Sequence, residues 1–171
     1  MFGLGRMIGL AVSVGCGIVT SQAPELAQQY RQRLNGALHE LGGVVAAFDA
    51  DAARNNLQRP EALALYQASD DAFLRDRGQS VQVAIDRLDT LARQSLALDA
   101  LPAAARPLAL VNAPDTTVLR GTLGDFEPAV PITPHGLLWA GVGFLFGFGL
   151  WSLLRRLFRR RKARPVPGAR V

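Results

Sequence analysis

Two apolar segments lie near the ends of the chain and enclose a longer, more polar region. The second segment, Gly136–Leu154, contains 19 residues without a charge. At 1.5 Å per residue, a helix of this length spans about 28 Å, close to the thickness of the hydrocarbon core of a bilayer. Trp139 and Trp151 lie toward its two ends, where interfacial aromatic side chains are common. We therefore predict a transmembrane helix over residues 136–154.

The first segment, Met7–Thr20, contains 14 uncharged residues after Arg6. This length is also typical of a signal-peptide core, and cleavage after Ala23 stays an alternative. Small residues recur here every four positions, and a shorter version occurs in the second segment. Faces of this kind let membrane helices approach closely. We predict that residues 1–23 form a retained membrane helix and that the two helices pack through Gly5, Gly9, Ser13, Gly17, Gly143 and Gly147.

The region between the apolar segments has helical periodicity and is predicted to form a hairpin over residues 24–114. One long helix is expected from Pro24 to about Asn55, with a seam of Leu34, Leu38, Leu41, Val45 and Phe48. A short helix follows over residues 60–67. A second long helix is expected between the capping sequence at residues 69–71 and Pro102, interrupted near its start by Gly78, with a seam of Val81, Ala84, Leu88, Leu91, Ser95 and Leu98.

Proline and alanine interrupt this pattern on the carboxyl side of the hairpin. Residues 102–114 are rich in both and are expected to be loose. Residues 115–135 are expected to contain a short helix, 115–123, and then an irregular segment set by Pro128, Pro131 and Pro134. The predicted fold is therefore all-α, with two transmembrane helices flanking an extracytoplasmic helical hairpin domain.

The charge distribution predicts the orientation of these helices. All 14 acidic residues lie between Glu25 and Glu127, where ten arginines leave a net charge of −4. The ends of the chain carry the other nine basic residues, among them eight in the tail at 155–171. Basic segments beside membrane helices remain in the cytoplasm. The sequence thus predicts a bacterial inner-membrane protein with both termini in the cytoplasm and the middle domain in the periplasm.

The basic tail is also predicted to contact the bilayer. Each Lys or Arg near a membrane surface contributes about 1 kcal/mol of attraction to anionic lipid. The residues expected to make this contact are Arg155, Arg156, Arg159, Arg160, Arg161 and Lys162. Nucleic acid is a less favoured partner, because the region predicted to fold is acidic and the basic excess flanks apolar segments.

No complete catalytic or metal-binding motif occurs in the sequence. His39-Glu40 begins a zinc-protease motif, but Gly43 stands where the second histidine belongs. Asp49 and Asp51 begin a calcium-loop pattern, which fails at Arg54 where glycine is required. A single cysteine excludes a disulfide framework. We therefore predict neither a cofactor nor a catalytic site, and expect a protein that is not an enzyme.

Three stretches resemble a known family: residues 28–34 leading to 48–50, residues 73–78, and residues 125–131 before the last membrane helix. The sequence resembles the proteobacterial family of small membrane proteins described as domain of unknown function 2937. The resemblance extends from the first apolar segment through about Leu154. It implies a membrane protein and brings no activity or site residues.

These observations favour a non-enzymatic accessory or scaffold protein that binds an envelope partner, or a second copy of itself, through the helical domain. Arg75, Asp76 and Arg77 form a compact charged cluster near the turn of the predicted hairpin and are the candidate contact residues. One alternative is a sensor that couples the domain to the basic tail through packing of the membrane helices. Another is an enzyme acting on envelope lipid or peptidoglycan, which would need a cleft with converging polar groups.

Overall fold

The computed structural model describes residues 3–112 and 114–161, and this part of the chain contains helices and no strand. The all-α prediction is confirmed for these residues. The seven helices are α1 (Leu4–Ser21), α2 (Ala23–Arg54), α3 (Arg59–Gln67), α4 (Ala72–Asp99), α5 (Arg106–Asn112), α6 (Thr116–Gly124) and α7 (Pro134–Arg161).

Local sequence accounts for most helix ends. Asp71 accepts a hydrogen bond from the Phe73 backbone N–H and caps α4. Pro24 and Pro60 occupy the first turns of α2 and α3, where a missing N–H costs nothing. After α2, Asn56 has a φ of 58°, the left-handed conformation that ends many helices and that asparagine tolerates.

The structure corrects three expectations about the middle region. Residues 106–112, expected to be loose, form α5, with Pro107 in its first turn and Leu110 packed against a buried cluster. Helix α4 continues through Gly78. The absence of a side chain at this glycine makes room for Tyr66 of α3. Its buried residue next to Val81 is Ile85, where the seam predicted Ala84.

The chain divides into two compact units. One contains residues 1–26 and 127–171 and therefore includes α1, the first residues of α2, and α7. The other, Ala27–Phe126, is referred to below as the helical domain.

Two apolar clusters form the core of the helical domain. The first contains Tyr30, Leu34, Leu91, Leu98 and Val118 from α2, α4 and α6. The second contains Val45, Leu63, Val81 and Ile85 from α2, α3 and α4. The first cluster joins residues early in α2 with residues late in α4. The second cluster joins a residue late in α2 with residues early in α4. The helical periodicity thus buries one stripe of each long helix.

Polar contacts between α2 and α4 follow the same order. Arg31 forms an ion pair with Asp99 at 2.5 Å, and the Ser95 hydroxyl donates to the Asn35 side chain at 2.9 Å. As residue numbers rise along α2, their partners in α4 fall. The two helices therefore lie antiparallel where they contact each other.

Candidate functional site

Helices α1 and α7 approach each other along a seam of small residues. Gly9, Ser13 and Gly17 of α1 are buried there, as are Gly143 and Gly147 of α7. A Cβ atom at Gly17 would lie 2.9 Å from the Ala140 carbonyl oxygen, and one at Gly147 would lie 2.8 Å from the Ser13 Cα. Those distances are shorter than van der Waals contact, so no larger residue fits without moving a backbone.

All six residues predicted for helix packing lie at this contact. Gly5 is close to Arg155, and Gly9 lies directly against the Trp151 indole ring. In contrast, a Cβ atom at Gly15, Gly141 or Gly149 would meet no neighbouring atom within 4 Å. The seam therefore runs along one face of each helix, and only the glycines on that face are needed for close approach.

Two hydrogen bonds join the helices near opposite ends of the seam. The Trp151 indole N–H donates to the Gly5 carbonyl at 2.7 Å. The Thr20 hydroxyl lies 2.8 Å from the Trp139 carbonyl and 2.9 Å from the Cys16 carbonyl of its own helix. Such bonds are common between membrane helices, where polar groups find no water. The order of the partners shows that α1 and α7 are antiparallel.

The outer surfaces of α1 and α7 are apolar and exposed. Exposed side chains include Met7, Leu10, Ile18, Leu145 and Phe146. In the most apolar 18-residue stretch at each helix, only 22% of the residues at α1 and 11% of those at α7 are buried. A core helix of a water-soluble protein would be mostly buried. Both helices are long and apolar enough to cross a membrane.

The basic residues after Leu154 are only partly described. Arg155 and Arg156 are exposed on α7, and the Arg155 guanidinium reaches back over Gly5 of α1. Arg159, Arg160 and Arg161 continue the backbone of α7. The side chains of those three arginines, and all of Lys162, lie outside the described part of the chain. The predicted lipid contacts of these four residues therefore stay predictions.

The predicted partner-binding residues Arg75, Asp76 and Arg77 lie exposed in the first two turns of α4. Arg75 has a local role, because its guanidinium donates to the carbonyl oxygens of Ser69 and Asp70 at 2.8 Å each. It thereby holds the turn that leads into α4. Asp76 and Arg77 remain at the surface of the same helix.

An open groove lies close to this charged cluster and was missed by sequence reasoning. Its volume is about 780 Å³, and its lining includes Phe48, Leu65, Tyr66 and Leu74. Leu65 is 61% exposed, and the neighbouring Phe73 is 74% exposed. Large exposed apolar side chains grouped around a groove mark sites of protein association. The Phe73-Leu74 pair beside a helix cap was the signal available in the sequence. The groove and the exposed Phe73 beside it are together referred to below as the α3–α4 groove.

A polar network at the other core cluster joins three helices. The Arg87 guanidinium of α4 forms a bidentate ion pair with Asp115, whose side chain is 10% exposed. Asp115 caps α6 by accepting from the backbone N–H groups of Thr117 and Val118 at 3.1 and 2.9 Å. The Asp115 backbone N–H donates to the Tyr30 hydroxyl at 2.8 Å, which itself donates to Gln94.

This network perturbs two ionisable groups. The hydrogen bonds that Arg87 donates to the Asp115 carboxylate hold the pKa of Asp115 below the ordinary value of 3.8, and the N–H groups of α6 act in the same direction. Burial raises the pKa of the Tyr30 hydroxyl above 10.0. Each shift favours the protonation state that the network needs at neutral pH, so these groups serve to fix α6 on the helical domain. Hydrogen bonding and burial within the fold therefore account for both pKa shifts without a bound substrate.

The other ion pairs in the described part of the helical domain each join one aspartate with one arginine. Within the described residues, no group of three or more His, Cys, Asp or Glu side chains is placed to hold a metal ion. His39 is exposed on α2. Asp49 pairs with Arg59 at 2.5 Å, which lowers the pKa of the Asp49 carboxyl, and Asp125 pairs with Arg33 at 2.6 Å.

The family model described as "Protein of unknown function (DUF2937)" matches residues 4–164. The chain belongs to this family. The match covers α1 through α7 and reaches into the basic tail. Among curated proteins and among solved structures there is no significant match. Membership assigns no activity, so any function must be argued from the geometry.

Proposed function

We propose that this member of the DUF2937 family is a non-enzymatic accessory protein of the bacterial inner membrane. In this proposal α1 and α7 cross the membrane as a packed pair, and the helical domain lies in the periplasm. The domain binds a protein partner of the envelope through the α3–α4 groove. The observation that carries the proposal is the α1–α7 pair, which combines an apolar exposed surface with a seam of small residues.

Lipid is the solvent that suits this pair. In water, the exposed leucine and phenylalanine side chains would be a large unfavourable surface. In a bilayer the same surface costs nothing, and association then depends on close packing and hydrogen bonds. Both features occur at the seam, at Gly17 and at Thr20. The charge distribution supports the orientation, with the acidic domain outside and the basic ends inside.

Cysteine accessibility tests the topology directly, since Cys16 is the only native cysteine. In a Cys16→Ser background, Ser69→Cys marks the helical domain and Gly168→Cys marks the tail. A membrane-impermeant maleimide added to intact spheroplasts should label Ser69→Cys and leave Gly168→Cys unlabelled until the membrane is lysed. Labelling of both positions in intact cells, or a mature chain that starts at Pro24, would contradict the two-span topology.

The α3–α4 groove supports the partner-binding part of the proposal. It combines exposed Leu65 and the neighbouring exposed Phe73 with the charge of Asp51, which lines the groove. An apolar patch with a charged rim is the usual composition of a protein interface. A volume of about 780 Å³ lets side chains of a partner enter it.

Photo-crosslinking in cells tests this surface. A photoreactive residue at Phe73 should yield one dominant cross-linked protein in the membrane fraction, identified by mass spectrometry. The same probe at Leu96, which is 72% exposed on α4 and does not line the groove, is the control and should yield much less. The Arg75→Ala, Arg77→Ala double variant should weaken the cross-link. Equal yields at the two probe positions would count against the groove, and a cross-link to a second copy would identify self-association.

A second candidate function is a sensor that couples the domain to the tail. The Thr20 hydroxyl favours it, because this donor lies between carbonyl oxygens of α1 and α7 and can donate to either the Cys16 or the Trp139 carbonyl. Helix α2 begins only two residues after α1 ends, so the chain is helical on both sides of Gln22. Gly9→Leu and Gly143→Leu should then change the rate at which a tail cysteine is labelled. An unchanged rate would leave the accessory role alone.

A further inference from the structure

A second groove opens beside the α1–α7 seam, and its walls are apolar. It has a volume of about 580 Å³, within the range of about 300–1,000 Å³ that is typical of small-molecule sites. The apolar side chains that line it are Met7, Leu10, Phe144, Phe148 and Trp151. The Trp151 indole N–H is already bonded to the Gly5 carbonyl, so the ring forms a fixed wall.

Two arginines close one end of this groove. Arg6 follows Gly5 in α1, and Arg155 lies one turn beyond Trp151 in α7; both line the groove and both are exposed. Neither has an acidic neighbour within the pair of helices, because every Asp and Glu of the chain lies between Glu25 and Glu127. Two guanidinium groups beside an apolar groove form a site that attracts an anion with an apolar portion.

The length of the groove matches one leaflet of a bilayer. From Phe144 to Arg155 the helix rises about 16 Å, roughly half of the hydrocarbon core of about 30 Å. In the orientation proposed above, the arginines lie at the cytoplasmic surface, where anionic lipids give the leaflet a negative potential. An acyl chain would lie against the phenylalanines while its phosphate meets the arginines.

We infer that this groove binds one anionic phospholipid, with the phosphate held by Arg6 and Arg155 and an acyl chain along Phe144 and Phe148. The inference rests on the proposed membrane placement of α1 and α7. It differs from the general attraction of the basic tail to a charged surface, because the arginines that line the groove, among the residues described, are specifically Arg6 and Arg155. Neighbouring arginines of equal charge should therefore have unequal effects on lipid retention.

Native mass spectrometry of the full-length protein in detergent tests the site. The protein is titrated with phosphatidylglycerol and, separately, with phosphatidylcholine of identical acyl chains. Phosphatidylglycerol should bind more tightly to the native protein. Arg155→Gln and Arg6→Gln should each weaken its binding by about fivefold. Arg156→Gln removes the same charge one position away and does not line the groove, so binding should change by less than about twofold.

Three results would overturn the lipid site. They are equal losses in Arg155→Gln and Arg156→Gln, equal binding of the two lipids, and effective competition by soluble glycerol 3-phosphate, which has the phosphate without acyl chains. Alkaline carbonate extraction of membranes separates this inference from the membrane placement. Release of the protein by carbonate would reject the membrane placement itself. Retention in the membrane together with any of the three results would reject only the groove.

Discussion

In the α1–α7 pair the helices approach each other at glycine and serine residues, with Cys16, Thr20 and Trp151 beside them, whereas the two core clusters of the helical domain consist of leucine, valine, isoleucine and tyrosine. At the pair, a Cβ atom at Gly17 would lie 2.9 Å from a backbone oxygen of the other helix. In the domain, the large side chains of Tyr30, Leu34 and Leu91 are buried almost completely. The helices thus pack through close approach of their backbones in one unit and through large buried side chains in the other.

The membrane placement proposed for the pair would explain this difference. In water, a helix gains stability by burying large apolar side chains, at about 25 cal/mol per Å². In lipid that gain vanishes, because the hydrocarbon outside is as apolar as the contact. What remains is dispersion between closely approaching backbones, together with hydrogen bonds such as that of Trp151. Large side chains that lie inward in the domain and outward in the pair are the arrangement expected if water surrounds the domain and lipid surrounds the pair.

Leu91→Ala should have the largest effect, and it should be confined to the helical domain. Leu91 is completely buried in the first core cluster, so its truncation should cost about 2–5 kcal/mol. Hydrogen–deuterium exchange of the full-length protein in detergent, read on peptides of α2 and α4, measures the loss. The matched control is Leu96→Ala in the same helix, where the side chain is 72% exposed and the change should be below about 0.5 kcal/mol. Similar losses in both variants would contradict the assigned core.

Gly143→Leu tests the opposite mode of packing. A side chain here would meet Thr20 and the Cys16 carbonyl of α1, so overpacking should cost about 1–3 kcal/mol in the pair. A thermal melt in detergent micelles should show a midpoint lowered by roughly 3–10 °C. Gly141→Leu, two residues earlier on the same helix, faces open space and should lower it little or not at all. A larger decrease for Gly141→Leu would mean that the seam lies on another face.

The Arg87–Asp115 pair predicts how the helical domain responds to acid. Because the folded-state pKa of Asp115 lies below 3.8, its contribution to stability is complete above about pH 5 and is lost as the pH falls through the folded-state pKa. Asp115→Asn removes the charge and should destabilise the domain by about 1–2 kcal/mol at pH 7 while weakening the stability loss below pH 4. Denaturant unfolding at pH 7 and at pH 3 measures both effects. Asp125→Asn is the control, since that carboxylate is exposed; an identical acid response in the two variants would refute the assignment.

The sequence predicted what depends on local patterns. Helix limits near Pro24, Asn55 and Asp71 follow from proline placement, turn residues and capping, all of which act within a few residues. The four-residue repeat of small side chains in α1 placed every member on one helix face, and the structure has that face at the contact with α7. Prediction succeeded wherever the physical cause lies within one or two helical turns.

Sequence reasoning missed what depends on distant pairing. Helix α5 was expected to be loose because Pro102 and Pro107 suppress regular structure, but packing of Leu110 against the core overrides that local preference. Asp115 was placed at the start of a short helix, yet its partners Arg87 and Tyr30 lie 28 and 85 residues away in the chain. No periodicity links such positions, so only the three-dimensional arrangement identifies the network.

The contact between Gly147 of α7 and Cys16 of α1 allows a chemical test of the seam that does not depend on a stability measurement. A Cβ atom at Gly147 would lie 3.1 Å from both Cβ and Sγ of Cys16, a few tenths of an ångström closer than the Cβ pairs of natural disulfides. The same Cβ atom lies 2.8 Å from the Ser13 Cα, so the two helices must move slightly apart to accept it. Gly147→Cys should then form a disulfide with Cys16 under mild oxidation, and maleimide labelling should fall from two thiols to none. Gly149→Cys lies on the same helix with no neighbour within 4 Å and should retain two free thiols. If both variants lost their thiols equally, random collision would explain the bond. Selective loss at Gly147→Cys would show that the backbones meet at the glycine face, as helices packed in lipid require.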